Sequence, residues 1–167
     1  MNSFISTMDT PMGPFTAIVD DDGAVLASGW TDDVGALWPL VHVDLRGAGQ
    51  PLACTDLGPV SVAIRAYHAG DLTAPDAITV MQHSGGAFLT AAWKTLREID
   101  PGAPVTYTEL ASRTGNAAAV RAAAQACARN AAALFVPCHR VIGTDGTMRG
   151  FRWGTDVKRW LLTHEAR

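Results

Sequence analysis

A short apolar run closed by proline sets the first limit on this fold. Residues 131–136 read Ala-Ala-Ala-Leu-Phe-Val and are followed at once by Pro137, Cys138, His139 and Arg140. Proline lacks a backbone N–H and holds the residue before it in extended backbone, so the helical pattern upstream cannot run through Val136. The run is apolar enough to be buried, and it delivers a cysteine beside an imidazole and a guanidinium. Such a cysteine has the ingredients of an activated thiolate. A bare Cys-His pair, however, is more often an inert core cysteine with a chance neighbour. The surrounding pattern has to decide.

Upstream, Phe88, Leu89, Ala92, Trp93, Leu96 and Ile99 make a helical stripe that Pro101-Gly102 ends. Thr106 and Glu109 form a capping box that predicts a short helix with Leu110 and Ala111. Thr114-Gly115-Asn116 predicts a turn, and Ala117 to Ala128 a second helix. Helix, glycine turn, helix is the helix-turn-helix pattern, although many helical hairpins bind no DNA. The second helix is nearly all alanine, with Arg121 its only long charged side chain before Arg129. So slim a helix can approach another surface closely, and one arginine projecting from it can enter a DNA groove. An Ala-rich packing helix with a solvated arginine fits the same residues. Downstream, residues 155–165 predict a final helix capped by Thr155 or Asp156. Its Leu161 and Leu162 share a face with Glu165. A carboxylate on a buried face wants a partner, and His139 is a candidate.

The first half of the chain reads differently. Residues 3–30 alternate as strands, with a turn at Asp20-Asp21-Asp22-Gly23. Residues 33–56 carry no secure pattern. Val60, Ala63, Ile64 and Tyr67 have helical spacing with a stop at Gly70, and Pro75 to Gln82 predicts a further strand. A composition shift near residue 84 divides the chain into domains 1–83 and 84–167. Charge divides the same way: 2 basic against 10 acidic residues before the boundary, 11 against 6 after it. An anionic partner would therefore meet the second half. The three cysteines stand singly, which suits a reducing cytosol and supplies neither a disulfide framework nor zinc spacing. No signal peptide or membrane-length apolar run is read, so a cytoplasmic protein with no membrane association is expected.

Taken together, these residues resemble the O6-alkylguanine-DNA alkyltransferases, the methylated-DNA–protein-cysteine methyltransferases. The resemblance runs from about Phe88 to Glu165. It is carried by Val105-Thr106-Tyr107, Val120-Arg121-Ala122, Arg129-Asn130, Val136-Pro137-Cys138-His139-Arg140-Val141, Gly150-Phe151-Arg152-Trp153-Gly154 and Lys158 to Glu165. The Arg152-Trp153-Gly154 variant looks most like the alkyltransferase domain of the bacterial adaptive-response protein. The N-terminal third matches weakly, through Thr10 to Pro14 and Tyr67 to Leu72.

The resemblance implies an α/β protein. Its N-terminal domain would hold a small ribonuclease-H-like sheet with a helix. Its C-terminal domain would be helical and winged-helix-like, with a helix-turn-helix. It implies a monomer acting on double-stranded DNA through the minor groove. The alkyl group of O6-alkylguanine would pass irreversibly, once per molecule, to Cys138, with O4-methylthymine left open as a substrate. It also implies roles. Glu165 would polarise His139, which takes the Cys138 proton through a water, and Tyr107 would assist flipping and protonate the leaving guanine. Arg121 would fill the gap left by the flipped base, with Thr106, Ala122 and Arg129 also at the DNA. Val141, Phe151, Arg152 and Trp153 would line the base pocket, and Asn130 would act as a hinge. No cofactor and no metal are expected. Some relatives carry an N-terminal zinc, but Cys54 is the only cysteine before residue 127.

The chain departs from the pattern in places. Phe151 stands where many relatives have tyrosine, and Ala131 to Ala133 replace a segment that usually contains proline. Ala124-Gln125 stand in place of a glycine-rich stretch found in some relatives. Asn116-Ala117 lacks a common Pro-Lys, and Arg152-Trp153 adds bulk at the pocket mouth. Two alternatives remain. One is a non-catalytic alkyltransferase-like damage binder, which Cys138 argues against. The other is a transcription regulator, which the lack of a second sensor domain argues against.

Overall fold

The computed structural model describes residues 1–83 and 85–166. They form two compact units, residues 1–83 with 131–135, and residues 85–130 with 136–166.

The first unit is built on a four-stranded sheet. Strands β1 (Ser3–Thr10), β2 (Gly13–Asp20) and β3 (Val25–Gly29) form an antiparallel meander, and β4 (Leu52–Ala53) pairs parallel to β1. The order is β3-β2-β1-β4. The acidic turn expected at 20–23 forms because Asp20 Oδ1 accepts from the backbone N–H groups of Asp22 and Ala24. Helix α1 (Val34–Leu37) is a single turn capped by Asp33. Helix α2 (Pro59–His68) starts on its proline and buries Val60, Ala63, Ile64 and Tyr67. The predicted strand over Pro75–Gln82 is replaced by a 3-10 turn at Ala74–Ala77, which Pro75 starts. Only Val80 then bridges the sheet, beside Val25.

Residues 131–135 also belong to this unit. They run along β3, where Ser28 N donates to Ala131 O at 2.9 Å and Ser28 Oγ to Ala133 O at 2.7 Å. Leu134 has φ of 76°, the only non-glycine residue in the left-handed region among those described. That conformation costs a leucine about 1–3 kcal/mol, so its surroundings must hold it.

The second unit holds α3 (Ala87–Leu96), β5 (Val105–Thr106), α4 (Tyr107–Arg113), α5 (Val120–Ala128), β6 (Val141–Ile142) and α6 (Thr155–Glu165). Helix α3 buries Ala92, Trp93 and Leu96, and the indole N–H of Trp93 donates to Ala126 O at 2.9 Å, tying α3 to α5. Half of the capping box forms. Thr106 Oγ1 accepts from Glu109 N, but the Glu109 carboxylate pairs with Arg113 at 2.8 Å rather than reaching back. Helix α5 starts three residues later than predicted. Asn116 Oδ1 accepts from Ala118 N, and its carbonyl from Ala119 N, so 117–119 are spent in an Asn-led turn. Gly154, at φ of 102°, occupies the cap of α6 in place of Thr155 or Asp156, and Asp156 pairs with Arg159 inside the helix. Strands β5 and β6 pair in parallel, Val105 with Val141 and Thr106 with Ile142. This short ladder sets the start of α4 beside the residues that follow Cys138.

Candidate active site

Behind Pro137 the chain makes a single 3-10 turn, Cys138–Arg140, and all three of its residues are buried. His139 Nε2 lies 2.9 Å from Glu165 Oε2. Arg140 grips the same carboxylate: Nε reaches Oε1 at 3.0 Å and Nη2 reaches Oε2 at 2.9 Å. Its Nη1 donates to the Ile99 carbonyl at 2.7 Å, beyond the end of α3. Gly102, at φ of 80°, packs so closely on this end of α6 that a Cβ there would sit 2.7 Å from Glu165 O. The Pro101-Gly102 turn is thus shaped to the carboxylate's own backbone.

Helix α6 brings a second ion inside. Lys158, Leu161 and Glu165 stand at i, i+3 and i+7, and all are buried. Lys158 Nζ donates to Val141 O at 2.8 Å, three residues past the cysteine. Two cations and one anion therefore lie inside the unit around Cys138. Each makes hydrogen bonds, which is the condition under which buried ions are tolerated.

These surroundings set the protonation states. Burial pushes the Cys138 thiol up. Its bond with the Asn130 side chain and the charges of Lys158 and Arg152 offset part of that. Burial likewise pushes His139 down from 6.5, against the pull of Glu165. Burial alone would raise Glu165, but the bonds and charges of His139 and Arg140 overcome it and hold the carboxyl well below 4.5. With His139 neutral, Arg140 supplies the charge that keeps Glu165 ionised. The neutral imidazole then donates Nε2–H to Glu165, leaving Nδ1 with a lone pair. Nδ1 is buried and has no hydrogen-bond partner among the described residues. Burial, with the neighbouring Cys127 and Cys138, raises the Tyr107 phenol to about 12, Arg149 offsetting a little. Tyr107 therefore keeps its proton at neutral pH. Burial lowers Lys158, and the two thiols oppose it.

The structure places the other predicted residues as follows. Tyr107 is half-buried at the first position of α4, and Thr106 is its cap. Arg121 is exposed in the first turn of α5, Ala122 half-buried beside it, and Arg129 exposed at its end. Asn130 is buried, and its Nδ2 donates to Val136 O at 2.7 Å, which closes the neck of the 131–135 excursion. Val141 is buried, Phe151 and Trp153 half-buried, and Arg152 exposed. Arg152 Nη2 reaches the Ala128 carbonyl at 2.6 Å. Sequence reasoning assigned no task to Arg140 or Lys158. The available signal was Lys158 on the buried face of α6, since a lysine there must have a partner. Among the described residues one group could hold a metal: His42, Asp44 and His83 of the first unit, all exposed. His42 Nδ1 already accepts from Asp44 N.

Comparison with known proteins points one way. A family model described as "6-O-methylguanine DNA methyltransferase, DNA binding domain" matches residues 87–167. A methylated-DNA–protein-cysteine methyltransferase of Shigella flexneri is 37% identical over 158 residues, covering 93% of this chain and 91% of that protein. The bifunctional transcriptional activator/DNA repair enzyme Ada of Escherichia coli is 49% identical over 82 residues, 49% of this chain and 23% of that protein. A crystal structure of Mycobacterium tuberculosis OGT in complex with DNA superposes with a TM-score of 0.80 at 27% identity, covering 98% of this chain and 92% of that one.

Proposed function

This chain belongs to the methylated-DNA–protein-cysteine methyltransferase family, and from that membership we propose how its residues carry the reaction. It is a DNA repair protein that reverses alkylation directly, taking the alkyl group of O6-alkylguanine onto a cysteine of its own. We assign the acceptor to Cys138. The observation that carries this is the imidazole beside it. His139 is fixed through Nε2 by Glu165 and keeps a buried Nδ1 with no hydrogen-bond partner among the described residues.

The thiol is protonated at rest, so attack needs a base. His139 Nδ1 accepts the Cys138 proton through a bridging water. The imidazolium that forms is stabilised by Glu165, which Arg140 keeps ionised. The sulfur then attacks the alkyl carbon in line, the new S–C bond forms, and the C–O6 bond breaks. Its electron pair leaves with guanine, which takes a proton from the Tyr107 phenol or from water. The thioether at Cys138 has no release route, so each molecule acts once and needs no cofactor.

The rest of the assignment concerns DNA. The sheet order and the parallel β1–β4 pair support a ribonuclease-H-like domain over 1–83. The α4–α5 pair with the β5–β6 ladder supports a winged-helix-like domain over 84–167. We place α5 in the minor groove, with a monomer on the duplex. Arg121 fills the space of the extruded base, and Thr106, Tyr107, Ala122 and Arg129 are at the backbone. Extruding a base costs a few kcal/mol, which these contacts must offset. Val141, Phe151, Arg152 and Trp153 form the base pocket. Phe151 can stack there but cannot donate a hydrogen bond.

Intact-protein mass after incubation with an O6-methylguanine duplex tests the reading. One methylene of added mass on Cys138 is expected, and Cys138→Ala should bind the duplex and gain none. No gain by the wild type with retained binding would favour the non-catalytic damage binder.

A further inference from the structure

The contact between Arg152 and the end of α5 has no part in the chemistry above. Arg152 sits in the loop 150–154, between Gly150 and Gly154, and its side chain is long enough to reach solvent. Although the residue is exposed, its Nη2 lies 2.6 Å from the Ala128 carbonyl, the last residue of α5. The last carbonyls of a helix lack intrahelical partners and carry the negative end of its dipole, so a guanidinium there is favoured on both counts. The same guanidinium is near enough to Cys138 for its charge to favour the thiolate. Arg152 therefore touches two places at once, the end of the helix that carries Arg121 and the field around the thiol.

We propose that Arg152 is a positioning residue. It latches the 150–154 loop, which carries Phe151 and Trp153, to the C-terminal end of α5, and so holds the base pocket formed before DNA arrives. This rests on the reading of 150–154 as pocket. The far end of the loop is tied to α6, since Gly154 N donates to Phe151 O at 3.0 Å and its carbonyl accepts from Lys158 N at 3.2 Å, while a contact on the side of α5 comes from Arg152. Gly150 has open space around it, and Gly154 takes φ of 102°, a hinge-like conformation that only glycine adopts without strain. A charge-assisted bond to a helix end adds to those ties a direct link between the loop and α5. The neighbouring alternative is that Arg152 is a solvent-exposed DNA phosphate ligand that rests on Ala128 in the free protein.

Single-turnover transfer separates the two. The substrates are an O6-methylguanine duplex and free O6-methylguanine base, and the proteins are wild type, Arg152→Ala and Arg152→Lys. The latch predicts that Arg152→Ala lowers the maximal transfer rate roughly tenfold on both substrates, the scale of one charge-assisted bond. The salt dependence of duplex binding should be unchanged, since the latch involves no phosphate contact. Arg152→Lys, which still donates to one carbonyl, should restore most of the rate. The rate on free base should also rise with pH from a higher starting point in Arg152→Ala, because a charge favouring the thiolate is gone. A normal rate on free base, with weaker duplex binding and a shallower salt slope, would overturn the latch in favour of a phosphate contact. Equal rates for all three proteins on both substrates would overturn it outright. Failure of the wild type to transfer at all would instead overturn the functional reading. Arg152 is exposed, so the variants should fold, and matched thermal melting checks this.

Discussion

Two arginines mark the contrast between the outer face of the helix pair and the interior behind it. Arg121 projects from α5 into solvent and makes no hydrogen bond or ion pair with the described residues. Arg140 is 4% exposed and makes bonds to both oxygens of Glu165 and to the Ile99 carbonyl. The fold is indifferent to the first and built around the second. A side chain kept long, charged and unpaired on an otherwise smooth helix is free to serve a ligand. A charge taken out of water must be satisfied by the protein itself, whatever else it does. The outer face should therefore be all function and little stability, while the interior should be both at once.

Glu165→Gln tests the interior most severely. It leaves Arg140 buried with a neutral partner and removes the charge that stabilises an imidazolium. Breaking a buried ion pair from one side costs about 3–5 kcal/mol, readable by urea unfolding. Transfer should fall by at least a hundredfold, the scale of a lost general base. Unchanged stability would break the contrast, since it would mean that the cluster carries no structural load.

Arg121→Ala tests the other side. Thermal melting should move little, within about 0.5 kcal/mol, as for other exposed positions. Transfer from the duplex should drop roughly tenfold or more, as when a side chain that offsets base extrusion is lost. Transfer from free O6-methylguanine base should not change. Equal losses on the two substrates would remove Arg121 from the groove.

The pH dependence of stability comes mainly from the interior, and its signs follow from the shifts. His139 is depressed below 6.5, so the unfolded chain takes a proton that the folded one refuses, and stability falls as pH drops through 6.5. Glu165 is depressed below 4.5, so its contribution is complete above 4.5 and is lost as pH falls further. The thiols of Cys127 and Cys138 are raised above 9.0, so stability falls again in alkali, where only the unfolded thiols ionise. Urea midpoints across pH should show this dome. Glu165→Gln should flatten its limb below 4.5, while Arg121→Ala should leave the whole curve in place.

How much of this was legible from residues follows the same divide. The surface was legible through local chemistry. The near-absence of long side chains on 117–128 singled out Arg121, and Thr106 announced the start of α4. The interior was legible only in part. His139 could be paired with Glu165 because a carboxylate on an apolar face needs a partner. That Arg140 holds the same carboxylate depends on a 25-residue separation and on the Ile99 carbonyl, which no local pattern encodes. The first unit shows the same limit. Hairpin strands and α2 could be read from periodicity, whereas 33–56 could not. The supposed strand at 75–82 failed because its one pairing residue, Val80, reaches the sheet through tertiary contact. The boundary near residue 84 was visible in charge. The return of 131–135 to the first unit was not, because an apolar run does not name the surface that covers it.

A smaller effect is expected at the junction of the two faces. Asn116 spends its side chain holding the turn before α5, accepting from Ala118 N. Asn116→Ala should cost about 1 kcal/mol, the usual value of such a cap. Its consequence should depend on which face the turn serves. If the turn aims α5 at DNA, duplex transfer should weaken several-fold while free-base transfer stays level. If it only stabilises the hairpin, both rates should hold and the loss should appear in melting alone. Placed beside Arg121→Ala, the variant asks whether the outer face needs the helix held in place or only needs its arginine. The exposed Glu109–Arg113 pair on α4 sets the baseline: Glu109→Ala should cost no more than about 0.5 kcal/mol and change neither rate.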